Sequence, residues 1–428
     1  MNRKHISSYA YLNVIVQCLY IVWNCNIYLS SGGSNNSNNN YINNVSKLLL
    51  LSSKNQEQQY FAGLNEPWIM EYLMELNIPC AACPTNIQKR TIEEISCRLN
   101  DMVLNQRVGV FREILPFALL QPYKSFNNSE NVQVRKEMRK ILSLYAQVNA
   151  SVILSFDRPI PTWMGPSSSW CPIPPLSNHS AWNQLRNSIS SSLANFIYWL
   201  SSPNDNDYGI DMKKWIHTHL ILEPWNEFDA VMDTNCKFPS NAPSASRAAD
   251  LHSHVVFALE KLGFTKSTMP IHISPSISGA QGSWVTYISD YYNAGGGGLP
   301  NIHWYGCNAS HLEEKVKQVE KIIPKEYIGK LVLGETGCSR VTKECKSINS
   351  TTVGTESTRQ NFFMDVTKSL RKSCIFVLFW RVMELTNNKP PLGCEASFGI
   401  TTANNVAYDK AGTSFFQLLG GTGLNQSC

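Results

Sequence analysis

The chain has 428 residues, 43% of them hydrophobic and 16% charged, with a formal net charge of +5. That is the composition of an ordinary globular protein with a large core. The lysines and arginines are scattered rather than gathered into a stripe, which removes the electrostatic case for a nucleic-acid partner.

The N-terminal residues differ from the rest. Met1-Asn2-Arg3-Lys4-His5 is basic, and Tyr9 to Tyr28 is largely apolar without a charge, the pattern of a secretory signal peptide over residues 1–30. Cleavage is expected between Cys25 and Ser31; the alternative is an uncleaved signal anchor, since the apolar stretch approaches spanning length. Residues 31–54 begin as an almost unbroken run of Ser, Gly and Asn, too polar to offset the entropy of ordering, and are expected to form a disordered linker. Sequons at Asn35, Asn44, Asn127, Asn149, Asn178, Asn308, Asn349 and Asn425 fit a secreted chain, expected outside the cell or in the cell wall. Thirteen cysteines are present, Cys18 and Cys25 within the signal. The others include Cys80-x-x-Cys83, Cys338 with Cys345, and Cys374 with Cys394. No second C-x-x-C or H-x-x-x-H completes a zinc site, so disulfides are expected, with at least one cysteine left over.

From residue 55 to 428, strand-length apolar runs alternate with longer segments of helical period. A first strand at Tyr60–Leu64 precedes a helix at Asn86–Leu104. The next units are Arg107–Arg112 with Asn131–Gln147, and Ser151–Phe156 with Ala181–Leu200. The fourth strand, His219–Leu222, runs into Glu223-Pro224-Trp225-Asn226-Glu227 and is followed by a helix at Ala245–Leu262. Then come Pro270–Ser274 with Trp284–Tyr292, and Asn301–Tyr305 with Leu312–Ile322. The last units are Lys330–Gly337 with Thr358–Arg371, and Cys374–Trp380 with Ala411–Leu419. Eight β-then-α units close a parallel barrel, so the expected fold is α/β, a single (β/α)8 TIM-barrel domain. An open doubly wound sheet is disfavoured, because no G-x-G-x-x-G follows the first strand.

In such barrels functional residues gather at the C-terminal ends of the strands. Here those ends offer Arg112, Asp157-Arg158, Asn226-Glu227, His303-Trp304-Tyr305, Glu335 and Trp380. Alternation places Val108, Val110 and Arg112 on one face, and likewise Leu331, Leu333 and Glu335, and Phe376, Leu378 and Trp380. Glutamates ending the fourth and seventh strands point to a carboxylate pair, the equipment of a glycoside hydrolase.

The arrangement resembles the clan A retaining glycoside hydrolases over about Tyr60 to Leu419. Asn301-Ile302-His303-Trp304-Tyr305-Gly306 resembles the His-Trp-Tyr-Gly strand of one endo-β-1,3-glucanase family. Val332-Leu333-Gly334-Glu335-Thr336-Gly337 resembles the Gly-Glu-Thr-Gly-Trp segment of another. Phe228 stands where proline is usual after Asn-Glu, and Cys338 where tryptophan follows Thr-Gly. The resemblance implies a retaining endo-β-1,3-glucanase, with another β-glycanase (β-1,4-glucanase or mannanase) as the alternative. It makes Glu227 the acid/base, Glu335 the nucleophile and Asn226 the ligand of the sugar 2-hydroxyl. A non-catalytic carbohydrate-binding wall protein on the same barrel is the reading from another class.

A retaining pair must stand ~5 Å apart, with one carboxyl protonated and one ionised. Arg112, His303 and Tyr305 are candidates to hold Glu335 ionised, and Trp380 and Trp163 to stack on sugar rings. Glu223 lies deeper and is expected to pair with Arg112 or Arg158. Asn65-Glu66-Pro67 mimics the acid/base motif but comes too early, as a decoy or at most a residue of the cleft. Neither cofactor nor metal is expected; the partner is a polysaccharide, no obligate protein partner is inferred, and the chain is expected to be a monomer.

Overall fold

The computed structural model describes residues 62–78, 88–165, 172–204, 207, 209–229, 244–278, 284–340, 353–380 and 410–421, without the side chains of Trp284 and Trp380. The signal, the linker, Cys80, Cys83, Cys345 and Cys394 lie outside them.

Eight strands form one all-parallel sheet: β1 (Ala62–Glu66), β2 (Val110–Pro116), β3 (Ser151–Asp157), β4 (Leu220–Glu223), β5 (Ile271–His272), β6 (Asn301–Tyr305), β7 (Leu331–Gly337) and β8 (Cys374–Trp380). Their order is β5-β4-β3-β2-β1-β8-β7-β6. The two ends meet through parallel bridges, Ile273 with Leu299 and Ile277 with Ile302, so the sheet curls into a (β/α)8 barrel. Strands buried on both faces explain the unbroken apolar runs in the sequence.

Among the described residues the helices of eight residues or more are α1 (Trp68–Glu75), α2 (Ile92–Asn100), α3 (Ser129–Gln147), α4 (His179–Ser201), α5 (Met212–His219), α6 (Ala245–Lys261), α7 (Trp284–Asn293), α8 (Ala309–Glu320), α9 (Glu356–Ser369) and α10 (Lys410–Leu418). Side-chain caps start many of them: Asn128, Asn178, Asp211, Ser244, Asn308 and Thr355 each accept from a first-turn N–H. Thr91 and Glu94 form a reciprocal capping box at α2.

The sequence expectations differ from the structure in local ways. β1 extends to Glu66, and α1 and α5 are additional to the expected helices; α1 begins directly after Asn65-Glu66-Pro67. Arg112 does not end its strand, because β2 continues in register with β3 as far as Pro116 opposite Asp157. Leu331, Leu333 and Glu335 do not form one alternating row. Between Ile302 and His303 of β6, β7 advances from Leu333 to Glu335, one residue too many, and its register against β8 slips over the same stretch. Such a bulge interrupts the alternation of the strand and re-aims the side chains beyond it.

Cys338 bonds to Cys307 rather than grouping with Cys345, tying together the C-terminal ends of β6 and β7. Cys97 is also disulfide-bonded. Cys374, grouped in the sequence with Cys394, is a free, buried thiol. Among the described residues no helix is long and apolar enough to cross a membrane.

Candidate active site

Arg112 is the centre of the site. It lies in mid-β2, fully buried, and each of its five N–H bonds finds an acceptor. Nε donates to Glu223 (2.8 Å). Nη1 donates to Asn65 (3.1 Å) and Glu335 (2.6 Å), and Nη2 to Ser155 (3.0 Å) and Asn226 (2.8 Å). Burying a guanidinium is tolerable only with such pairing. The contacts come from the first, third, fourth and seventh strands or the turns after them, so this one side chain locks the barrel mouth. Glu223 therefore pairs with Arg112, while Arg158 contacts Asp157 (3.4 Å).

The turn after β4 carries Asn226 and Glu227. Asn226 is oriented at both ends of its amide: Oδ1 accepts from Arg112 and from Ser276 Oγ (3.2 Å), and Nδ2 donates to Asp157 (2.9 Å). Glu227 has a left-handed backbone, φ 46°. A residue with a Cβ pays on the order of 1 kcal/mol or more there, and its N–H bond to Ser276 Oγ (2.7 Å) holds it in place. Its side chain is buried, the residue being 4% exposed. Oε1 meets His303 Nδ1 at 2.9 Å, while the buried Oε2 has no partner among the described residues.

Glu335 comes directly after the bulge of β7. Oε1 accepts from Arg112 and Oε2 from the Tyr305 hydroxyl (2.5 Å), with His303 Nδ1 at 3.6 Å. One carboxylate oxygen each from Glu227 and Glu335 and a ring nitrogen of His303 all lie within 4.8 Å of one another. Among the described residues this is the one group placed to hold a metal ion. Both Glu335 oxygens, however, are already taken by a guanidinium and a hydroxyl, a donor set suited to protons.

The two glutamates are displaced in opposite directions. Burial raises Glu227, against the His303 contact that lowers it, and the charge of Glu335 adds to the rise. Burial would raise Glu335 as well, but His303, Arg112 and Tyr305 together outweigh it and hold this carboxyl below the usual range. His303 is lowered by burial but ends above its ordinary value because of the charge of Glu335 and the bond to Glu227. One carboxyl is thus disposed to keep its proton and the other to lose it.

The structure brings together Arg112, Asn226, Glu227, His303, Tyr305 and Glu335. It does not join Trp163 to them: the half-buried indole donates to the carbonyl of Gln121 (3.1 Å). Trp380 ends β8 in register with Asn65, its side chain outside the described residues. Residues that the sequence did not assign to the site are Asn65, Ser155 and Ser276. Asn65 accepts from Arg112 and donates to the carbonyl of Gly334 (3.1 Å), so the supposed decoy supplies part of the floor. Parity would have found it, because Asn65 stands opposite Arg112 in register. Ser276 lies beyond a strand of only two residues and left no periodic signal.

No family model and no curated protein matches the sequence. Solved structures do match in fold. An exo-β-1,4-mannosidase from Opitutaceae bacterium strain TAV5 superposes with a TM-score of 0.54 at 13% identity, over 84% of this chain; the chain spans 59% of that protein's length. A family 5 xyloglucanase from Paenibacillus pabuli gives 0.53 at 13% identity, over 85% of this chain and 99% of that one. A broad specificity endoglucanase from Clostridium acetobutylicum gives 0.54 at 12% identity, over 85% and 97%. The chain thus shares the fold of these enzymes, a (β/α)8 barrel.

Proposed function

We propose that the chain is a retaining β-glycosidase that cleaves a β-linked polysaccharide without a cofactor. The observation that carries this is the pair itself, Glu227 and Glu335, with carboxylate oxygens inside 4.8 Å and proton affinities displaced in opposite directions. That spacing belongs to double displacement; an inverting pair stands ~6.5–9.5 Å apart to admit a water. Glu335, held ionised, attacks the anomeric carbon. Glu227 gives the proton on Oε2 to the departing oxygen and then takes one from the water that hydrolyses the glycosyl-enzyme. Asn226, fixed by Arg112, Ser276 and Asp157, is placed to bond the sugar 2-hydroxyl. Trp380 and, more remotely, Trp163 remain the candidate stacking platforms.

Two linkage classes have support. The solved structures of like fold include enzymes named for β-1,4-mannoside, xyloglucan and glucan substrates. The His303-Trp304-Tyr305-Gly306 and Gly334-Glu335-Thr336-Gly337 segments favour β-1,3-glucan. We further infer that the chain enters the secretory route and acts as a monomer outside the cell. The basic and apolar first thirty residues and the Cys307–Cys338 bond support secretion. Asn127, Asn149, Asn178 and Asn308 are all exposed, as glycan acceptors must be.

Release of reducing ends from β-1,3-glucan, β-1,4-glucan, xyloglucan and mannan tests both activity and linkage. Proton NMR of the first-formed product should show the β anomer. An initial α anomer refutes double displacement, and no release from any glycan leaves the carbohydrate-binding reading.

A further inference from the structure

Beneath the carboxylate pair, β6 carries Asn301 two residues before His303 and on the same face. Asn301 is fully buried, and neither atom of its carboxamide has a partner among the described residues; the same is true of His303 Nε2. These orphaned atoms converge. A Cβ placed on Gly334 would stand 2.5 Å from Asn301 Oδ1 and 3.1 Å from His303 Nε2. Atoms so close to one point lie within the span of one bridging water. Gly334 belongs to the bulge of β7, so the distortion that presents Glu335 also leaves room for this pair.

We propose that Asn301 is a positioning residue that sets which protons His303 carries and, through His303, how tightly Glu227 holds its own. The effect on turnover rests on the reading of Glu227 as acid/base; the juxtaposition of Asn301 and His303 does not.

Among the described residues, the charged groups facing His303 are Glu227 on Nδ1, Glu335 from β7 and the Arg112 guanidinium from β2. All of them act on the Nδ1 side or through charge, which leaves Nε2 to Asn301. A carboxamide offers both a donor and an acceptor and so suits both states of the ring. Through one bridging water, its oxygen can accept the hydrogen bond of Nε2–H of an imidazolium, and its NH2 can hold the water that donates to a bare Nε2 of the neutral ring. In both states Nδ1 keeps its proton and donates to Glu227 Oε1, so the acid's own proton stays on Oε2.

The test is the titration of the His303 ring followed by nitrogen NMR in the full chain, its signal assigned by loss in His303→Gln. Asn301→Asp places a carboxylate at Nε2 and should keep the imidazolium to a pH about one unit higher or more. Asn301→Leu offers neither donor nor acceptor and should release the proton at lower pH. Asn301→Ser retains a donor and an acceptor and should titrate near the wild type. Where the chain turns over a glycan, the basic limb of its pH–rate profile should move down in Asn301→Asp and up in Asn301→Leu, since the imidazolium favours ionised Glu227. Opposite displacements support the proposal. Unchanged titration in folded Asp and Leu variants, or displacement in the same direction, overturns it. If either variant fails to fold, Ser against the remaining one decides. Should the chain hydrolyse no glycan, the ring titration still reads the proposal independently of the assigned function.

Discussion

Arg112 and Glu113 are adjacent in β2, equally buried and opposite in charge, and their surroundings treat them in opposite ways. Arg112 faces the barrel interior and keeps its charge, because Glu223 and Glu335 raise its proton affinity against the effect of burial. Glu113 faces the helical layer, where the Tyr145 hydroxyl (2.7 Å) and the N–H of Ile69 at the start of α1 (3.2 Å) are its partners. Burial dominates there, with the charges of Glu66 and Glu71 adding to it, and Glu113 is pushed well above the ordinary carboxylate range. A buried charged residue is therefore not in itself a sign of chemistry. The sign is a suppressed and a supported carboxyl standing side by side, as Glu227 and Glu335 do, and not a carboxyl suppressed on its own, as Glu113 is.

The largest effect should come from the interior side. Glu335→Gln removes the nucleophile but keeps its shape, and turnover should fall by at least about 10⁴-fold; wild-type rates in that variant would falsify the assignment. Glu227→Ala should cost about 10²–10⁴-fold on natural glycans but much less on an activated aryl glycoside. Azide should restore part of that activity by occupying the vacated space. Because burial rather than Glu335 is the leading cause of the raised Glu227, Glu335→Gln should lower the Glu227 titration without returning it to the ordinary range. A full return, followed by carbon-detected NMR, would mean that charge and not burial separates the pair. Arg112→Met leaves Glu223 and Glu335 buried without their cation, so unfolding by urea should show a loss of about 3–5 kcal/mol. A loss below about 1 kcal/mol would mean that the site tolerates its carboxylates without Arg112.

Much of this was legible from the chain, and the failures share a cause. Eight apolar runs ending in polar groups result from the physics of a barrel buried on both faces, and they located β6 and β8 to the residue. Alternation failed where the backbone departs from period two: the bulge at Gly334 gave Glu335 the right neighbourhood for the wrong reason. Charge failed as a marker of strand ends. Arg112-Glu113 looked like the end of an apolar strand, yet β2 continues to Pro116 because Arg112 is paired within the core and Glu113, its charge suppressed, is hydrogen-bonded there. Asn65 was within reach of parity once paired with Arg112, whereas the role of Ser276 is tertiary, created by the left-handed turn at Glu227, and no local pattern announces it.

The smallest effect belongs to the outer side, and it is distinguished by its sign with pH. In the folded chain Glu113 holds its proton well above the ordinary carboxylate range, while in the unfolded chain it titrates near about 4.3. Folding therefore takes up a proton between those limits. The stability contributed by the protonated group is fully present below the unfolded value and is lost as pH rises toward the folded one. Glu113→Gln copies the protonated acid: the amide oxygen can accept from Ile69 N–H, and the NH2 can donate to the Tyr145 oxygen. At pH 4 the variant should melt within about 1 kcal/mol of the wild type. Its relative stability should then grow as pH increases, because the wild type alone must either keep a proton from an increasingly alkaline solvent or bury a carboxylate beside Glu66. Thermal melts of both proteins across pH 4 to 9 read this directly. A constant difference over that range would show that Glu113 is ionised in the fold, and the contrast with Arg112 would then lie in geometry alone.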